Sequence, residues 1–302
     1  MPDPILVIGE SLVDITVGPG GTTTRPGGSP LNIAVGCARL GVSTVLATQI
    51  GDDEAGELVR DHLDSSDVDV RSLPPHRPDT SVARADLDSA GHATYSFDLA
   101  WDPTELPSPE GFGCIQVGSI GATLAPGADA VDALTAQAAD AGVPIGFDPN
   151  VRPTITPDLA DVRRRVDAMA ERATVVKLSD EDAELLYPGE PDVLARLTGR
   201  GRTALAVLTC GGRAVRMRSA AADIEVAPPT VEVVDTIGAG DSFMSALLAR
   251  LLEHELLTGA ALDSAALVDL ANTAARAAAI TCTRPGADPP TRRELADSET
   301  ST

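Results

Sequence analysis

The chain has 302 residues, 43% hydrophobic and 23% charged, a length and balance that fit a globular protein with a sizeable core and exclude a disordered one. Its net charge of −22 repels nucleic acid and anionic membrane, so neither is an expected partner. No apolar run reaches the ~18–20 residues that span a bilayer, and MPDPILVIGES has no basic region ahead of its apolar run, so the expected location is cytoplasmic.

In chain order, short β-branched runs at residues 5–9, 44–50, 114–118, 143–148, 174–178 and 203–209 read as strands, with helical patterns such as 128–141 and 158–172 between them. This alternation predicts a mostly parallel α/β sheet with helices on both faces. Ligands of such sheets bind beyond the carboxyl ends of the strands. Residues 80–87 and 93–97 flank the turn-forming segment 88–92 and read as a hairpin. Ala93, Tyr95 and Phe97 alternate with Thr94 and Ser96, which makes one face of that hairpin apolar. Together with 13–17 it suggests a small second sheet, whose apolar face would suit a lid or a subunit interface. The expectation is one domain over 1–302, with a β lid built from about 11–27 and 78–100. The last third, 240–255 and 264–279, reads as helix, and the polar tail after Arg293 as frayed.

Cys37, Cys114, Cys210 and Cys282 form no CxxC pair, and the four histidines show no HExxH spacing, so buried reduced thiols and no zinc site are expected. All cations but one are arginine, the exception being Lys177, so a phosphate-handling cation is expected to be Arg or a bound metal.

The segment VEVVDTIGAGDSFMSALLA, 231–249, carries the strongest chemistry. A β-branched run, the small residues Gly238, Ala239 and Gly240, and an apolar helix pattern would aim backbone N–H groups and a helix dipole at one point, an anion hole. Asp241 in the first helical turn either caps the helix or removes a proton from a hydroxyl that attacks a phosphoryl group.

DTIGAGDSF resembles the C-terminal signature of the ribokinase-like (PfkB) carbohydrate kinases. GGSPLNIA, from Gly27, running on to Arg39-Leu40-Gly41, resembles the N-terminal one, about 200 residues earlier. Ser29 reads as an N-cap and Gly41 as the helix stop. The resemblance implies an ATP-dependent kinase of small sugars with Mg²⁺, closest to bacterial fructokinases, whose partners are the sugar and ATP, with a homodimer through the lid. It implies that Asp14, Gly28 and Asn32 contact the sugar and that Asp241 is the base. As isolated residues, Asp14, Gly28 and Asn32 are more often turn or capping groups than ligands. Arg152 in DPNVR would neutralise the transferring phosphoryl or be a surface arginine.

Lys177 and Ser179 would serve the nucleotide phosphates, and Asp182 would order Mg²⁺ through water. Ser179 and Asp182 stand where the family commonly has NxxE, and a capping box is the rival reading. Thr209 and Gly211 resemble the family's nucleotide loop, with Ala214 replacing its second glycine. Asn272 is expected to border the adenine, and Asp235 with Gly286 a monovalent cation such as K⁺.

A dinucleotide-binding oxidoreductase is disfavoured because Ile8-Gly9-Glu10-Ser11-Leu12 lacks GxGxxG. A non-catalytic binding relative is disfavoured by the intact GAGD. Among acceptors, fructose leads; ketodeoxygluconate follows, with Arg84 for its carboxylate; ribose and nucleosides come last.

Overall fold

The computed structural model describes residues 3–88, 92–198, 201–257 and 262–299. The strands are β1 (Ile5–Ile8), β2 (Leu12–Gly18), β3 (Gly21–Gly27), β4 (Thr44–Thr48), β5 (Asp69–Ser72), β6 (Ser81–Leu87), β7 (Ala93–Asp98), β8 (Cys114–Gly118), β9 (Ile145–Asp148), β10 (Val175–Ser179), β11 (Leu205–Thr209), β12 (Val215–Arg218) and β13 (Asp223–Val226). The helices are α1 (Ser29–Arg39), α2 (Glu54–Asp64), α3 (Gly127–Ala141), α4 (Leu159–Ala170), α5 (Asp180–Leu186), α6 (Val193–Thr198), α7 (Ala239–Glu253), α8 (Ser264–Cys282) and α9 (Arg292–Glu299).

The main sheet runs β13-β12-β11-β10-β9-β8-β1-β4-β5, parallel from β11 to β5, with an antiparallel β12–β13 edge. β1 shows why its strands read as unbroken apolar runs. Ile5 and Val7 enter the core built on α1, α2, α7 and α8, while Leu6 and Ile8 enter the core built on α3 to α6. Both faces are covered, so alternation disappears. The chain leaves β1 toward β4 on one side and returns at β8 on the other. That reversal opens a crevice at the carboxyl ends of β1 and β8.

The second sheet runs β3-β2-β6-β7, and residues of β2, β6 and β7 line one cleft together with Ser119 and Asp148 at the ends of β8 and β9. Its β6–β7 pairing confirms the hairpin, although residues 89–91 of its turn lie outside the described residues. Two expectations fail. The tail is helical through α9, because Thr291 and Glu294 exchange capping-box hydrogen bonds and Leu295 is buried. The VEVV run forms no strand: Val233 and Val234 are exposed, and the Val234 N–H is bonded to the Cys282 carbonyl at the end of α8. Among the described residues, no helix is long and apolar enough to cross a membrane.

Candidate active site

Helix α7 begins at Gly238, whose φ of 76° is the left-handed cap conformation that suits glycine. Ala239's N–H turns back to the Thr236 carbonyl at 3.2 Å, which leaves those of Gly240 and Asp241 as the first-turn donors. Asp241 caps nothing. Its buried carboxylate accepts from Ser29 Oγ at 2.6 Å and Asn32 Nδ2 at 2.8 Å, both on α1. The two signatures, 209 and 212 positions apart, therefore meet at one carboxylate. Ser29 is not the N-cap of α1; Gly28 takes that place, with φ 106°, and frees the Ser29 hydroxyl for Asp241.

Asp241 faces a cleft of about 670 Å³ between the lid and the strand ends, whose lining includes Asp14, Gly28, Asn32, Arg152 and Lys177. Tyr95 and Phe97 stack 6.4 Å apart and line the same cleft while remaining exposed. Asp14 stands opposite Ala83 in the β2–β6 pairing and lies against Gly27. Crowding by these walls raises its carboxyl to about 6. Arg84 stands opposite Ile15, one register step away, and Asp86 holds its guanidinium bidentately at 2.9 and 2.8 Å. Arg84 lines the cleft, and the pair is about half exposed.

Below them, Lys177 Nζ lies 2.7 Å from Asp148 Oδ2 in a fully buried pair, and a Cβ built on Gly240 would sit 3.3 Å from it. Burial disfavours the ammonium, but Asp148, Asp182 and Asp241 together hold its pKa above the ordinary lysine range. Burial raises Asp148 to about 6, against the pull of Lys177. Composition pointed to arginine for handling phosphate; the structure puts the only lysine beside Gly240 in the first turn of α7. Arg152 joins it from the cleft wall, its guanidinium bonded to the Val151 carbonyl.

Asp182 is the capping-box partner of Ser179. One oxygen accepts from the Ser179 N–H and hydroxyl, the other from the Val151 N–H, which fixes the DPNVR turn. Both oxygens thus serve the capping box and the turn. No cluster of three or more His, Cys, Asp or Glu side chains among the described residues could hold a metal.

A second cavity, about 340 Å³ and mostly apolar, is lined by Thr209, Gly211, Val233, Ala275 and Cys282 and shares Thr236 and Gly240 with the cleft. Asn272 does not line it; it faces a neighbouring groove with Arg276 and Thr283. Asp235 ties the loops around the anion hole, accepting from Ile237 N–H at 3.0 Å and Gly286 N–H at 2.8 Å.

Sequence reasoning missed Ser29 as a partner of Asp241, Asp148 as the counter-ion of Lys177, and Glu10. Glu10 lies two residues past the end of β1 and is buried, and that burial raises its carboxyl to about 7. A charged residue at the carboxyl end of a buried parallel strand was the available signal.

Residues 5–293 match the description "pfkB family carbohydrate kinase". The chain is 34% identical to a fructokinase of Klebsiella pneumoniae, covering 83% of this chain and 85% of that protein. It is also 34% identical to one of Rhizobium leguminosarum bv. trifolii, covering 87% and 85%. The fructokinase of Xylella fastidiosa, solved with bound ATP, superposes over 100% of both chains with a TM-score of 0.84 and 25% identity. That of Vibrio cholerae O395, solved with fructose, ADP and calcium, covers 98% of both with a TM-score of 0.80 and 25% identity.

Proposed function

The chain belongs to the pfkB family of carbohydrate kinases, and we propose that it transfers the γ-phosphoryl group of ATP to a hydroxymethyl group of fructose. The observation that carries this reading is the meeting of two cavities at Gly240, a polar one holding Asp241 and an apolar one beside the Thr209–Gly211 loop. Sugar would occupy the first and adenosine the second, with the phosphates crossing at the start of α7. Asp241 takes the hydroxyl proton. The Gly240 and Asp241 N–H groups, the α7 dipole, Lys177 and Arg152 meet the charge on the moving phosphoryl. A divalent ion would arrive as part of the MgATP substrate.

Fructose is favoured by the curated fructokinase relatives and by the electrostatics of the cleft. Its wall carries the acids Glu10, Asp14, Asp148, Glu181 and Asp241 against the cations Arg84, Arg152 and Lys177, of which Lys177 is paired with Asp148 and Arg84 with Asp86. A neutral polyol fits this wall better than an acid such as ketodeoxygluconate. The apolar lid would also serve a homodimer. The test is ADP release across fructose, ribose, ketodeoxygluconate and a nucleoside. We expect kcat/KM for fructose at least about tenfold above the others, the discrimination one lost polar contact gives. Preference for another acceptor overturns the fructose assignment, and ATP binding with no turnover favours the non-catalytic relative.

A monovalent cation at the Asp235–Gly286 junction would brace the loop beside the anion hole, and a carboxylate there suits a hard cation. Turnover should then be higher in potassium than in sodium buffers. Equal rates would remove this cation from the scheme.

A further inference from the structure

The chain crosses between body and lid four times: at 9–11 between β1 and β2, at Gly28 between β3 and α1, at 73–80 between β5 and β6, and at 99–113 between β7 and β8. Two of these crossings grip one residue, Gly121, in the 3-10 turn Ile120–Ala122 after β8. Glu10, in the first crossing, accepts the Gly121 N–H at 2.9 Å. Trp101, in the last, donates its indole N–H to the Gly121 carbonyl, also at 2.9 Å.

The approach is close enough to require glycine at 121. An added Cβ would lie 2.9 Å from Gly9 Cα and 3.1 Å from Glu10 Oε2. The other two crossings adjoin the same hub. A Cβ on Gly28 would meet the Glu10 carbonyl at 2.6 Å, and His76 Nδ1 lies 2.5 Å from Asp102, the residue after Trp101. The gripped turn is itself a wall of the acceptor cleft. Ser119 and Ile120 line it, and Ser119 takes a left-handed φ of 52°, a strained backbone that its surroundings must hold.

We propose that Glu10 is a positioning residue for the sugar: by holding the Gly121 N–H while Trp101 holds its carbonyl, it fixes the Ser119–Ile120 wall and couples that wall to the lid. The proposal rests on the cleft being the acceptor site, which the wild-type sugar assay tests separately from the variants. Glu10 is almost wholly buried, 3% exposed, and an acid there is costly unless it is hydrogen-bonded. Burial favours its protonated form, against hydrogen bonds from Ser119 and Gly121. A glutamine retains an acceptor for Gly121; a leucine does not.

Trp101 is the only tryptophan, so its emission reports on this hub alone. Steady-state kinetics and thermal unfolding of wild type, Glu10→Gln, Glu10→Leu and Trp101→Phe, with fructose titrations of tryptophan emission in those that keep Trp101, form the test. In Glu10→Leu the KM for fructose should rise at least tenfold and the KM for ATP stay within twofold, with the fructose-dependent emission change lost. Glu10→Gln should keep the emission change and hold the fructose KM within threefold of wild type. If Glu10→Leu does not fold, Trp101→Phe decides, with an expected severalfold rise in fructose KM alone. An unchanged fructose KM in a folded Glu10→Leu or in Trp101→Phe overturns the proposal, as does an equal rise in both KM values.

Discussion

Asp241→Asn should leave a folded protein that binds ATP within about twofold of wild type and turns over roughly 10²–10⁴ times more slowly. The geometry separates this outcome from the capping alternative. A cap would accept from backbone N–H groups of its own helix, and its loss would cost on the order of 1 kcal/mol of stability with little effect on chemistry. Asp241 makes no such bond; it accepts from Ser29 and Asn32 across the floor of the cleft. Asparagine is nearly isosteric and its carbonyl can still accept from Asn32, while the Ser29 hydroxyl can rotate to accept from the new amide. What asparagine cannot do is take a proton. A loss of two to four decades corresponds to about 3–5 kcal/mol of barrier, far more than one exchanged hydrogen bond. Turnover within tenfold of wild type, with melting temperature unchanged, would remove Asp241 from the role of base.

Ser29 and Asn32 also show where sequence reading was sound and where it stopped. Both lie in the first turn of α1, and their segment was legible as a functional motif. Asn32 was expected on the sugar alone. That it also holds Asp241 depends on how α1 packs against α7, and a distance between two helices leaves no trace in either one's periodicity. The strands of the main sheet were legible because burial on both faces makes each an apolar run. VEVV misled for the same reason: β-branched residues mark a strand only if a neighbour offers a ladder, and here one α8 carbonyl serves instead. The short edge strand β5 and the β12–β13 hairpin were not read, having at most half their residues buried. The Thr291–Glu294 capping box was present in the sequence and outweighed by the polarity of the tail around it. Asp182 was ambiguous because capping boxes and metal motifs place an acid at the same spacing; its second partner, the Val151 N–H, lies across the fold and left no mark in the local sequence.

Lys177→Met should reduce both stability and turnover, and the double variant Lys177→Met/Asp148→Asn should recover the first without the second. Removing one member of a buried ion pair costs roughly 3–5 kcal/mol, because the remaining charge is stranded. Here that charge is Asp148, whose other oxygen, Oδ1, is buried with no hydrogen-bond partner. Without the ammonium, the Asp148 carboxyl rises further above its present value of about 6 and its unfolded value of 3.8. A group whose folded pKa lies above its unfolded one is penalised as pH rises from the lower value through the higher. Wild type already takes this penalty up to about pH 6, so the single variant should lose stability relative to wild type only as pH rises above about 6, and melting curves on both sides of that value check the sign. Asparagine at 148 removes the stranded charge, so the double variant should melt close to wild type throughout. Its turnover should nonetheless stay down by at least about a hundredfold, because the cation beside Gly240 is gone from the path of the phosphoryl. Recovery of turnover in the double variant would mean that Lys177 exists only to neutralise Asp148. Arg152 and the α7 N–H groups would then carry the phosphoryl charge alone. Persistent loss in a well-folded double variant explains the composition instead: in a chain whose other cations are all arginine, the one position beside the anion hole calls for a compact ammonium with three donors, a group that a planar guanidinium does not replace in a buried space.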